Sequence, residues 1–133
     1  MIGILVATHS PLASSLIESC KMIMGDHILN CRSICLTLGE DLENYEMEFV
    51  RHLDELDEGE GVLVLVDLFA GTPANIAMRG LKHRNYECVS GVNLGMLLEV
   101  LSSRTCQSLD ILKKTAFDAG RETIVDISGK VKG

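Results

Sequence analysis

One histidine in this chain stands where an imidazole can act as a nucleophile. His9 follows the apolar run Ile2-Gly3-Ile4-Leu5-Val6-Ala7 and precedes Ser10-Pro11, a pair that reads as the N-cap and first residue of a helix. A helix N-terminus disfavours an imidazolium, which helps keep the ring neutral and nucleophilic, and its unpaired amides form a ready seat for a phosphoryl group. A carboxylate, Asp67, closes the run Gly61 to Val66. In that position it either caps the following loop or accepts from Nδ1–H of His9, and in the second case Nε2 is the free nucleophile. The segment after it, Leu68-Phe69-Ala70-Gly71-Thr72-Pro73-Ala74-Asn75, again puts a hydroxyl residue before proline, and Gly71 permits a close approach of backbone to ligand. A third loop, Gly91-Val92-Asn93, closes the set. The amides around Ser10, Gly71 and Thr72 are the expected phosphate seat, and Asn75 and Asn93 the expected supports of the loops. His27, His52 and His83 lie in a turn, on an acidic helix and between basic residues, settings that read as surface.

The elements that would position these groups alternate between two periods. Strand-like runs occupy residues 2–8, 31–38, 61–67, 86–92 and 123–127, with helical patterns between them. The first helix turns Leu12, Leu16, Cys20 and Met24 inward and stops at Gly25; the third runs from Pro73 to about Leu81, the fourth follows Asn93, and the fifth ends at Gly120. The order is βαβα, and the unbroken apolar run Val62 to Val66 suits a central parallel strand covered on both faces. The expected fold is a doubly wound, mostly parallel α/β sheet of about five strands with helices on both faces. Residues 1–127 read as one domain and 128–133 as a polar tail. In such sheets ligands bind beyond the carboxyl ends of the strands, where the winding reverses.

Composition narrows the function further. The chain has 133 residues, 47% of them hydrophobic, and no apolar run near the roughly 20 residues of a spanning helix; a cytoplasmic protein is expected. The net charge of −7 is concentrated in residues 40–60, which hold ten acidic residues and one basic. Leu42, Tyr45, Phe49, Leu53 and Leu56 recur there at three and four, so the charge is the wet face of an amphipathic helix. With 4% aromatic residues and no basic stripe, nucleic acid is not an expected partner. Five cysteines without a CxxC pair read as reduced core thiols, and no metal or cofactor is expected.

Three segments together resemble a known family. Ile4-Leu-Val-Ala-Thr-His9-Ser10, Leu65-Val-Asp67-Leu-Phe-Ala-Gly71-Thr72-Pro73-Ala-Asn75 and Gly91-Val-Asn93-Leu-Gly-Met96 are similar to, and spaced as in, the IIA component of the mannose/fructose/sorbose branch of the bacterial phosphoenolpyruvate-dependent sugar phosphotransferase system. The resemblance implies a phosphoryl carrier in which His9 accepts from the phosphocarrier HPr and donates to a histidine of the IIB component, the membrane IIC and IID components being served indirectly. It implies that Asp67 orients the histidine, and that the protein is a homodimer exchanging its last strand, here Thr123 to Ile127, antiparallel between subunits. Thr72 keeps the hydroxyl where serine is usual, while Ala70 and Ser10 stand where glycines are common. A phosphotransfer subunit of a dihydroxyacetone kinase, a phosphorylatable regulatory domain and a small-molecule-binding α/β domain are the alternatives.

Overall fold

The computed structural model describes residues 1–133. Four strands and six helices follow in the order β1 (Gly3–His9), α1 (Leu12–Met24), β2 (Cys31–Leu36), α2 (Leu42–Leu56), β3 (Val62–Val66), α3 (Thr72–Gly80), β4 (Tyr86–Ser90), α4 (Leu94–Ser103), α5 (Leu109–Glu122) and α6 (Ile127–Lys132). The sheet order is β2-β1-β3-β4 and every pairing is parallel. The winding therefore reverses between β1 and β3, which are direct neighbours, with Ala7 opposite Val66. His9 and Asp67 leave the sheet side by side at that switch point.

Alternation along β1 and β3 divides the core into two. Ile2, Ile4, Val6, Leu63 and Leu65 face α1, α4 and α5, whereas Leu5, Ala7, Val62, Val64 and Val66 face α2 and α3. All five residues of β3 are buried, as a strand covered on both faces requires. Each Leu or Val so buried contributes about 1.5–3 kcal/mol against chain entropy. The acidic segment forms α2, burying Tyr45, Phe49, Leu53 and Leu56 while Leu42 stays exposed. Its carboxylates pair with arginines from neighbouring elements, Asp54 with Arg84 at 2.7 Å and Glu46 with Arg79 at 3.1 Å.

The chain forms four strands and not five. Thr123 to Asp126 pair with no strand; Asp126 instead caps α6, its carboxylate accepting from Gly129 N–H at 3.0 Å. The expected polar tail is thus mostly helix. The apolar residues that suggested a strand, Ile124, Val125 and Ile127, are exposed, so their pattern records no burial within the chain. The fifth helix also runs past Gly120 to Glu122. Gly120 is buried inside the helix, with Met96 of α4 packed against it; a Cβ there would stand 2.6 Å from the movable Met96 Cε. Cys20 is buried and Cys31, Cys35 and Cys88 are half-buried, but Cys106 is exposed in the turn after α4, contrary to the core reading. No helix is long and apolar enough to cross a membrane.

Candidate functional site

His9 is the last residue of β1, and the chain turns sharply after it. Ser10 adopts φ 52°, the left-handed region that residues with a Cβ avoid, and its N–H donates to Leu36 O at 2.7 Å. That amide is therefore committed to β2 and cannot hold a phosphoryl oxygen. Ser10 does not cap α1 either. The N-cap is Pro11, with no side-chain cap of its own, and the first turn is secured from the strand: buried Thr8 accepts from Ala13 N–H at 2.8 Å. Serine before proline had suggested the local cap; the left-handed turn carries Ser10 away, and Thr8 reaches the amide from the penultimate position of β1.

Asp67 performs both tasks its position allowed. Oδ1 accepts from Leu68 N–H at 3.0 Å and so shapes the loop after β3. Oδ2 accepts from the His9 backbone N–H at 3.0 Å and lies 3.0 Å from His9 Nδ1. With a carboxylate at Nδ1 the proton belongs on that nitrogen, which leaves the lone pair on Nε2. Burial pushes the Asp67 carboxyl pKa up, but the hydrogen bonds from the His9 ring and amide outweigh it and hold the group below its ordinary value. Asp67 is thus an anion at neutral pH, with its side chain 13% exposed, while the His9 side chain is 43% exposed.

The other face of the imidazole meets the start of α3. Gly71 is the N-cap, at φ 99°, and a Cβ there would stand 2.9 Å from both Cε1 and Nε2 of His9. Only glycine allows this backbone so close to Nε2 at that φ. Thr72 is then the first helical residue and Pro73 the second, and no side chain caps the helix, so Thr72 is not the cap its place before proline suggested. The uncapped amides at this N-terminus, Thr72 and Ala74 foremost, remain free to meet an anion beside Nε2. Asn75 belongs to the same turn with its side chain exposed, and its N–H closes the helix onto Gly71 O. Asn93 caps α4, accepting from Met96 N–H at 2.9 Å and donating to Gly120 O at 3.0 Å. It fixes α4 and α5 and is not brought to the His9 ring. The residue that composition and motif had left unmarked is Thr8; its only signal was a hydroxyl at the end of a buried run.

The arrangement is an imidazole held at Nδ1 by a carboxylate, with Nε2 next to a helix N-terminus. Residues 3–117 match the family described as PTS system fructose IIA component. The chain belongs to this family. It is 34% identical over 131 residues to the PTS system mannose-specific EIIAB component of Escherichia coli K12, an alignment covering 97% of this chain and 40% of that protein. The PTS chain thus spans well under half of that two-part relative. It is also 34% identical over 105 residues to the PTS system fructose-specific EIIA component of Bacillus subtilis, covering 78% of this chain and 71% of that one. Among solved structures, phosphotransferase system component EIIA from Streptococcus agalactiae superposes with a TM-score of 0.87 at 28% identity, over 97% of this chain and 99% of that one. The fold, the order of elements and the family agree with a IIA component of the mannose/fructose/sorbose branch.

Proposed function

We propose that this IIA component is the phosphoryl carrier between HPr and a IIB component in a sugar uptake system, with His9 as the carrier residue. The observation that supports it most is the His9–Asp67 pair, because a carboxylate at Nδ1 orients the half-exposed ring with Nε2 beside the Gly71 turn. In the forward step Nε2 attacks the phosphorus of phospho-HPr in line. The new N–P bond forms as the donor's N–P bond breaks, the donor imidazole leaves with that electron pair, and the Nδ1 proton stays on His9 facing Asp67. Charge on the phosphoryl oxygens is met by the free amides of Thr72 and Ala74 at the start of α3, and catalysis is positioning and charge stabilisation. The second step repeats the first with a IIB histidine as acceptor.

Both partners need the same histidine, which suits a site on an open edge. Leu38, Leu68 and Phe69, all exposed around the carboxyl ends of β2 and β3, offer apolar surface for transient docking. We also read the protein as a cytoplasmic homodimer with residues 1–127 as its single domain. Supporting the dimer, β4 is an edge strand whose outer side opens into a groove of about 580 Å³ lined by Phe69, Met78, Val89 and Phe117. Selection of the sugar belongs to the membrane components in this reading.

The test is to incubate the protein with phosphoenolpyruvate, enzyme I and HPr and to look for an acid-labile, base-stable phosphate. Label on the wild type and none on His9→Ala is the expected result. No label on the wild type, or undiminished label on His9→Ala, overturns the proposal.

A further inference from the structure

The free amides beside Nε2 of His9 belong to α3, yet little apolar surface holds that helix. Its buried residues are Pro73, Ala74, Ile76 and Ala77, only one of them a large side chain, and its N-terminus has no side-chain cap. Its ion pair with α2, Arg79 to Glu46, is largely exposed and therefore screened. A helix of nine residues anchored so thinly requires a further hold to keep its N-terminus against the His9 ring.

That hold lies at the far end. Tyr86 opens β4, opposite Val62 in register, at the end of the sheet away from His9. It is buried, and its hydroxyl donates to the carbonyl of Ala77. Ala77 O is one of the last four carbonyls of α3, the group for which a helix runs short of its own amides. Phe49 of α2 sets the Tyr86 ring edge-to-face, with 6.0 Å between centroids. Gly80 makes room for the hydroxyl, since a Cβ there would stand 2.8 Å from Oη. Gly80 has no left-handed φ, so the backbone does not require glycine at that position; the Tyr86 hydroxyl does.

We propose that Tyr86 is a positioning residue for phosphoryl transfer: its hydrogen bond to Ala77 pins the C-terminal end of α3 to the sheet and so sets where the Thr72 and Ala74 amides stand beside Nε2. The helix is about 13 Å long and moves as one rigid element, so a shift at one end reaches the other. Tyr86 touches neither the phosphoryl group nor the imidazole and acts through α3 alone. The role in transfer rests on His9 being the phosphoryl acceptor; the placement of α3 does not.

The experiment compares wild type with Tyr86→Phe, which removes the hydroxyl and keeps the ring, and with Gly80→Ala, which keeps the hydroxyl but pushes it from its seat although alanine favours the helix. Arg79→Gln, which breaks only the exposed ion pair, is the control. NMR of the unphosphorylated protein follows the Thr72 and Ala74 amides and His9 Cε1–H. These resonances are expected to move in Tyr86→Phe and Gly80→Ala and to stay in Arg79→Gln. The maximal rate of transfer from phospho-HPr is expected to fall about fivefold in the first two variants, a fraction of an ångström of misplacement being enough. The half-saturating concentration of phospho-HPr should not change, because no docking surface is altered. Resonances that stay in place, a maximal rate that does not fall, or an equal loss in Arg79→Gln overturns the proposal. A purely structural hydroxyl would lower the unfolding midpoint and leave both readouts at their wild-type values. Were the wild type to take no phosphate, the carrier reading would fail while the resonances still decided whether Tyr86 sets α3 against the His9 ring.

Discussion

Nδ1 of His9 lies 3.0 Å from Oδ2 of Asp67, and the same oxygen accepts the His9 backbone N–H at 3.0 Å. One carboxylate oxygen therefore fixes the imidazole at both its ring and its main chain. Replacing Asp67 with Asn keeps the shape but lets the amide present a donor to Nδ1, which favours the tautomer with its proton on Nε2. Phosphoryl transfer to His9 in Asp67→Asn is expected to slow by about 10- to 100-fold, as for other residues that orient a functional histidine. Rapid-quench measurement with labelled phospho-HPr checks it, and a wild-type rate would remove the orienting role.

The same pair sets a pH dependence of stability. The folded-state pKa of Asp67 lies below its ordinary 3.8, so between the two values the unfolded chain binds more protons and stability rises with pH. The contribution is complete above the unfolded value and is lost as pH falls through the folded one. In urea unfolding, the stability difference between wild type and Asp67→Asn should narrow as pH falls below about 4. A difference that widened below about pH 4 would contradict the depressed carboxyl.

Gly71→Ala strikes the ring from the other side. The added Cβ meets Cε1 and Nε2 of His9 at 2.9 Å from a backbone at φ 99°. A stability loss of about 1–2 kcal/mol from the left-handed conformation is expected, together with a fall in His9 phosphorylation larger than that loss explains. Thermal unfolding and the transfer rate, measured on the same preparation, separate the two effects.

The start of α1 gives a paired prediction. Thr8→Ala leaves the Ala13 amide buried without its acceptor and should cost about 0.5–2 kcal/mol. Ser10→Gly relieves a left-handed residue at φ 52° and should stabilise by about 1 kcal/mol. If Ser10 were the cap, Ser10→Ala would cost as much as Thr8→Ala; the structure predicts that it does not, and denaturant midpoints of the three variants decide.

Much of the architecture was legible in the chain because burial on two faces leaves an unmistakable imprint. Val62 to Val66 announced a central strand, and Tyr45, Phe49, Leu53 and Leu56 a helix with one dry side, since solvent exclusion acts on each residue where it stands. The segment Thr123 to Ile127 misled because its β-branched apolar residues are exposed and record no burial within this chain. Gly120 misled because glycine serves both helix ends and close helix crossings, and sequence does not say which.

By itself, the sequence determined that His9, Asp67, Gly71 and Thr72 would gather at one edge, since each follows a strand at its carboxyl end. Tertiary structure alone decided that β3 lies directly beside β1, so that Asp67 reaches Nδ1, and that Ser10 spends its amide on Leu36 while Thr8 takes the cap. Strand order and hydrogen-bond partners are choices among distant groups competing for the same donors. Those choices are settled by which whole arrangement leaves fewest polar groups unpaired, and no local window of residues contains that comparison.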